Sequence, residues 1–347
     1  MIGDVLTTSL LFELLREIYP SASLHYLINQ NTQPVVQENP FIDRFWLYNP
    51  QFYKSDKKHF DKSIVDFGFD LVIDVYAKLG SALLTRKIKP KNSVSYHKWY
   101  TELAYKKTVF PKRKTNKDEG LAITNRVILL EKLGHTIEHI PRPKIFLTAD
   151  EVALAKATLD KAGISGKKPL FMVSVLGSGV NKTYPLAYMA KVLDSAVAKT
   201  NATLLLNYIP NQRAQVDELL SYCNTNTKAH IKDAIYGKSL REFMALTSLC
   251  DALIGNEGGA VNMAKALDVP TYAIYAPWIL KAAWNSYEAS GKHRSIHLQQ
   301  IIPELYKKHP KKYKKQVNQF YAQFTPEYVT ADLQEFLKHH QFLVSKP

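Results

Sequence analysis

The stretch Gly255-Asn256-Glu257-Gly258-Gly259-Ala260-Val261-Asn262-Met263-Ala264-Lys265-Ala266-Leu267 constrains this chain more than any other. A run ending in apolar residues, Asp251-Ala252-Leu253-Ile254, leads into it, and a second run, Thr271-Tyr272-Ala273-Ile274-Tyr275, follows. Strand, glycine turn, helix and strand in that order make one βαβ unit with a ligand-sized gap at the turn. Glycines lack Cβ, so a ligand can approach the backbone closely there. The unpaired N–H groups and positive dipole end of the helix suit a diphosphate. Glu257, in the turn, is placed to accept hydrogen bonds from sugar or ribose hydroxyls. Glycine turns also join strands to helices where nothing binds, so this segment alone leaves nucleotide-sugar binding and plain architecture both open.

At 347 residues the chain has room for two domains of ordinary size. No stretch approaches the roughly 18 apolar residues of a membrane span. The start, Met1-Ile2-Gly3-Asp4, has no basic region before an apolar one, so no secretory leader is expected. Cys223 and Cys250 are too few for a disulfide framework and read as buried thiols in a reducing cytosol. No Cys/His spacing resembles a zinc site, and His339-His340 reads as a solvated helix end, so no metal is expected.

Charge is the second signal. Forty-six Lys and Arg against 31 Asp and Glu give a net charge of +15. Arg86, Lys87, Lys89, Lys91, Lys98, Lys106, Lys107, Lys112, Arg113, Lys114 and Lys117 stand against one acid, Glu102, between positions 86 and 117. Lys307, Lys308, Lys311, Lys312, Lys314 and Lys315 form a second cluster. Such patches attract nucleic acid, anionic lipid or a phosphorylated glycan, or are simply a solvated basic surface.

Along the chain, Leu10, Leu11, Leu14, Leu15 and Ile18 share one helical face, and Pro20 stops that helix. Residues 24–28 and 69–75 read as strands, the second buried on both faces. Pro141 and Pro143 mark a boundary, and Thr148-Ala149-Asp150-Glu151 is a capping box opening a helix to about Lys161. A second α/β run follows, with strands at 170–176 and 202–208 and a helix at 239–249. The tail from about 303 reads as helices with Phe320, Phe324, Leu333, Phe336 and Leu337 as core contacts. Two doubly wound domains predict a ligand at the carboxyl ends of the strands, in a cleft between them.

With these residues in view, the chain resembles glycosyltransferase family 9, the lipopolysaccharide heptosyltransferases. Ile2-Gly3-Asp4-Val5 resembles the family's Gly-Asp-Val motif, and Phe69-Asp70-Leu71-Val72-Ile73-Asp74 its first-domain strand. Ser178 through Lys182-Thr183-Tyr184-Pro185 resembles a loop in which a hydroxyl residue, a lysine and Trp-Pro recur. Lys238-Ser239-Leu240-Arg241-Glu242 resembles a helix start, and Gly255 to Leu267 the Asp-Thr-Gly…His donor motif. The five motifs occur in the family's order.

The resemblance implies the GT-B architecture: two Rossmann-like doubly wound domains facing a cleft, with C-terminal helices that often cross back to the first domain. Residues 1–165 would hold the acceptor, 166–302 the nucleotide sugar, and 303–347 would be the helical segment. It implies inverting transfer without a metal or other cofactor, typically of heptose from ADP-heptose to a lipopolysaccharide core. The partners would be a nucleotide sugar and an anionic glycolipid acceptor rather than nucleic acid. The enzyme would work in the cytoplasm, in peripheral contact with the inner membrane.

In this reading Asp4 is the general base, with helix capping as its structural alternative. Gly3 keeps a turn open for substrate, and Thr7 lies with it on the acceptor side. Lys182 neutralises the leaving diphosphate and Ser178 adds a hydroxyl donor. Gln212 falls where the family often has Glu beside the nucleotide. Glu257, Gly258, Gly259 and Asn262 occupy the positions of the family's Asp, Thr, Gly and His. Three of these four differ, which opens the donor to another sugar or nucleotide. Trp278 and Trp284 line the cleft or pack.

The family has a strand before its Gly-Asp-Val turn, and here only Met1 and Ile2 precede Gly3. A sheet without that strand would have unpaired edges and a slot in its core, as in a chain truncated upstream, or else would be rearranged. Two further functions stay in play: a GT-B-like sugar-nucleotide epimerase, and a non-catalytic polyanion-binding protein on the same scaffold.

Overall fold

Each segment read as a strand from its apolar run becomes a parallel strand. The computed structural model describes residues 1–49, 61–164 and 166–343, and the chain divides into two units, Met1–Lys144 and Ile145–Pro347. The division falls just after Pro141 and Pro143, earlier than position 165, where the first domain was expected to end. The capping-box helix is the cause. Ala149–Lys161 is opened by reciprocal Thr148–Glu151 bonds and belongs with the second unit. There it packs against the helix Leu240–Ser248, whose Arg241 forks onto the Glu151 carboxylate.

The first helix of the first unit is Ile2–Ile18, with Met1 at its N-cap position and no side-chain cap. Its buried residues Leu6, Leu10, Leu11, Leu14 and Leu15 hold it against the helix Gly120–Leu133. The strands β1 (His25–Asn29) and β2 (Arg44–Tyr48) form one parallel pair. A separate parallel sheet has the order β3 (Leu71–Asp74), β4 (Asn92–Tyr96), β5 (Lys107–Val109). The expectation that β3 would be buried on both faces does not hold. Leu71, Val72 and Ile73 are half-buried, and among the described residues β3 is one of the two edge strands of its sheet.

The second unit holds one five-stranded parallel sheet in the order β7-β6-β8-β9-β10. The strands are β6 (Leu170–Ser174), β7 (Thr203–Asn207), β8 (Ala252–Asn256), β9 (Thr271–Ile274) and β10 (His293–Ile296). β6 and β8, in the middle, are buried along their whole length, as near-continuous apolar strands of a doubly wound sheet should be. The C-terminal segment, expected as a separate piece, is part of this unit. Its last helix, Pro326–His339, lies on the helix Leu186–Thr200 and on β9 and β10. Two buried tyrosines tie it down: Tyr184 Oη donates to Phe324 O at 2.7 Å and Tyr272 Oη to Val329 O at 3.0 Å.

Candidate active site

The strand order creates the site in the second unit. From β6 the chain steps outward to β7, then returns across β6 to β8, so the connections leaving β6 and β8 diverge. Open parallel sheets bind ligands at such a switch point, at the carboxyl ends of the strands. The loop after β6 carries Ser178 and Lys182; the turn after β8 carries Glu257 and Gly258.

Local chemistry fixes both. Gly255 has φ +130, and a Cβ there would stand 2.3 Å from Ser174 O, so β6 and β8 approach this closely only because position 255 has no side chain. Gly177 is likewise obligatory: its Cβ would meet Lys182 O at 2.3 Å, because the loop folds back over itself. Asn256 then ties the pieces together. Its Nδ2 donates to Ser174 O (3.1 Å) and Val175 O (2.6 Å), while its Oδ1 accepts from Tyr184 N at 2.7 Å. This side chain is 1% exposed and sets the Lys182 loop on the end of the sheet. The sequence reading passed over it; a buried amide closing an apolar strand was the available signal.

Lys182 Nζ lies 3.8 Å from Glu257 Oε2, an ion pair too long for a hydrogen bond. Glu257 is 8% exposed, and Oε2 has no hydrogen-bond partner among the described residues. Burial pushes its carboxyl above the usual carboxylate range, with the Lys182 ammonium opposing that shift. The pair thus presents a cation and an underused acceptor side by side. Gly258 is the N-cap of the helix Gly259–Ala266 and has no side-chain cap; a Cβ there would meet nothing within 4 Å. The room a threonine would fill is open, and the helix's first N–H groups face it uncapped.

Other expected residues are placed differently. Asn262 Nδ2 bonds back to Gly258 O at 3.2 Å, within its own helix start. Gln212 Oε1 accepts from Ile209 N at 3.1 Å, capping a short turn after β7, one strand from the switch point. Ser178 is exposed on the loop. Trp278 joins the site: its Nε1 donates to Asn181 O at 2.6 Å, and Lys182 Nζ and Lys314 Nζ stand 5.8 and 5.0 Å from its ring centre. One member of the C-terminal lysine cluster therefore borders the same loop.

In the first unit, the turn expected at Gly3 is absent. Gly3 and Asp4 are already in the first turn of Ile2–Ile18, and the Thr7 hydroxyl donates to Gly3 O at 2.6 Å inside that helix. Asp4 does not cap the helix. Its Oδ1 is 3.2 Å from the guanidinium of Arg126, which is buried and also donates to Thr8 Oγ1 and Ala122 O. The Asp4 side chain is still 40% exposed, so its carboxylate is held yet reachable. Arg126 is the second residue missed from sequence, since nothing in the helical pattern around it marks a partner so distant along the chain. Among the described residues no group of three or more His, Cys, Asp or Glu is arranged to hold a metal ion.

The sequence profile of glycosyltransferase family 9 (heptosyltransferase) matches residues 58–313. The chain belongs to glycosyltransferase family 9. As a member it is a glycosyltransferase. Lipopolysaccharide heptosyltransferase 3 of Escherichia coli is 21% identical over 280 residues, covering 79% of this chain and 80% of that protein. A family 9 glycosyltransferase from Veillonella parvula superposes with TM-score 0.79 at 20% identity, over 98% of this chain and 95% of that one. An Escherichia coli heptosyltransferase solved with ADP gives TM-score 0.62 at 14% identity, over 89% and 96%. These superpositions establish the GT-B fold for this family 9 member.

Proposed function

We propose that this family 9 enzyme transfers heptose from ADP-heptose, with inversion and without a metal, to an anionic lipopolysaccharide core acceptor. The meeting of Lys182, Glu257 and an uncapped helix N-terminus at the sheet's switch point carries the donor half of this reading. A diphosphate leaving group gains negative charge as the glycosidic bond breaks. Lys182 and the N–H groups after Gly258 would take up that charge, and the free Glu257 oxygen would accept from sugar hydroxyls. Backbone N–H groups would carry more of the phosphate contact than in relatives with threonine and histidine, since Gly258 has no hydroxyl and Asn262 no charge.

Asp4 would take the proton from the acceptor hydroxyl as that oxygen attacks the anomeric carbon, with Arg126 holding the carboxylate in place. One Escherichia coli heptosyltransferase was solved with ADP, and the Escherichia coli relative matched in sequence is named a lipopolysaccharide heptosyltransferase, which supports this donor and acceptor class. Such an acceptor would place the enzyme at the cytoplasmic face of the inner membrane.

The test is thermal unfolding against ADP, ADP-heptose, UDP and GDP sugars. A ligand at about 100 times its Kd adds roughly 2.7 kcal/mol. Stabilisation by the adenine nucleotides alone supports the reading. A response to UDP or GDP sugars keeps the enzyme class and replaces the donor. Silence toward all of them favours the polyanion-binding alternative.

A further inference from the structure

The segment that carries the first basic cluster also carries an apolar surface left exposed among the described residues. On the helix Leu79–Ile88, Leu79 and Leu83 are 57% and 51% exposed, one turn apart on the same face. Beside them, Trp99 is 82% and Leu103 91% exposed. These four side chains, with Tyr100 and Arg86, line one shallow depression of about 140 Å³. An exposed leucine alone means little, but several large apolar side chains converging on one depression mark an interaction surface.

The charge of the same segment says what the surface meets. Arg86 lines the depression itself, and Lys89, Lys106, Lys112, Arg113 and Lys114 are exposed with no ion pair to an acid among the described residues. The chemistry is that of an interfacial membrane contact. Tryptophan, tyrosine and leucine enter the headgroup and upper acyl region, while long basic side chains reach anionic headgroups. No helix among the described residues is long and apolar enough to cross a bilayer, so the contact would be superficial.

The second cluster is built otherwise. Lys311, Lys312 and Lys315 are exposed on the turn Pro310–Gln316, whose aromatic neighbours Tyr306, Tyr313 and Phe320 pack against one another, Tyr306 meeting the other two edge to face, and are half-buried. It has charge without an exposed apolar face.

We propose that the face formed by Leu79, Leu83, Trp99 and Leu103, with Arg86 in its lining and exposed basic residues in the same segment of chain, docks this enzyme on an anionic lipid bilayer. This deepens the proposed function by naming the surface that meets the membrane, and rests on the lipid-borne acceptor only for its purpose. Vesicle binding needs no sugar transfer, so the two can fail separately.

The full-length protein is co-sedimented with phosphatidylcholine vesicles made with and without phosphatidylglycerol. Binding is expected to the anionic vesicles, to weaken with salt, and to shift Trp99 fluorescence to the blue. The double variant Trp99→Ser/Leu103→Ser should lower the vesicle partition about tenfold or more, since it withdraws two apolar side chains from the lipid. Both positions are exposed, so the thermal midpoint should stay put, and Arg86→Glu/Lys89→Glu gives a second reading that leaves the apolar surface intact. The triple variant Lys311→Ala/Lys312→Ala/Lys315→Ala should bind like the parent. The proposal is overturned if the parent ignores anionic vesicles or the Trp99/Leu103 variant binds as well as the parent. It is also overturned if only the Lys311 set matters, or if sedimentation shows a dimer that Leu103→Glu dissociates, which would make the patch a protein interface.

Discussion

Asn256→Ala should damage the donor site out of proportion to the size of the change. The amide spans two β6-side carbonyls and one loop N–H, all three bonds being 3.1 Å or shorter, at a position 1% exposed. A typical hydrogen bond contributes about 1 kcal/mol net, so removing three costs about 3 kcal/mol, and water is poorly placed to replace them. For a unit of this size that corresponds to a fall in Tm of roughly 6–12 °C. The amide's orientation gives a sharper test. Its oxygen must face Tyr184 N and its nitrogen the two carbonyls. Asn256→Asp keeps the first contact and sets a carboxylate oxygen against Ser174 O and Val175 O. It should therefore be less stable than Asn256→Ala at neutral pH and recover on acidification, as protonation restores one donor. Urea unfolding across pH, paired with calorimetric titration of ADP, reads both consequences. An Asp variant as stable as the parent, or an Ala variant with unchanged stability and ADP affinity, would refute the idea that this side chain hangs the Lys182 loop on the sheet.

Four further outcomes follow from the geometry. Lys182→Met should weaken ADP binding about tenfold to a hundredfold, the worth of a charge-assisted phosphate contact, and an unchanged titration would remove Lys182 from the phosphate site. Asp4→Asn should abolish transfer in a discontinuous sugar-transfer assay while leaving ADP affinity as it was; persistent transfer would end the base assignment. Glu257→Gln should stabilise the second unit at neutral pH. The buried carboxyl's raised pKa makes its ionisation costly in the fold, a cost absent below the ordinary value of 4.5 that grows as pH rises, so a gain that fails to grow with pH counts against it. Glu151→Gln should remove about 1–2 kcal/mol of stability above pH 4.5, since Arg241 holds that carboxyl down at about 2 and the pair is partly screened by water. Parent and variant should converge as pH falls from 4.5 towards 2, and curves that stay parallel in acid would exclude the ion pair as the cause.

Much of the second unit was legible because its signals are local. Buried parallel strands write themselves as apolar runs, which placed β6, β7, β8 and β9 within a residue or two. Thr148 and Glu151 spelled out a helix start that the structure contains in full. The first unit resisted for the same reason reversed. Gly3 and Asp4 are residues that favour turns and caps, yet the helix runs through both, with Met1 at its N-cap position and no side-chain cap. β4, β5 and β10 went unread because their sequences, such as Asn92-Ser93-Val94-Ser95-Tyr96, carry no apolar run, whereas β2 has one in Phe45-Trp46-Leu47-Tyr48 that was missed. Of the site, the glycine turn was legible in its own pattern, while Lys182 was named only through the family resemblance. Asn256 and Arg126 could not, since each acts through partners that only the folded chain brings near, 72 positions away in one case and 122 in the other. Trp278 was seen, but the choice between packing and lining depended on where Asn181 would lie.

The bond from Tyr184 Oη to Phe324 O joins residues 140 positions apart. It sits immediately beside the backbone amide that Asn256 grips, at the end of the loop bearing Lys182. During synthesis, β6 and its loop emerge long before residue 324 exists. Until then the tyrosine has no carbonyl to meet and the helix Leu186–Thr200 has an uncovered apolar flank. The packing around Tyr184 is thus completed only by the last helices, so this end of the sheet reaches its final form late in synthesis.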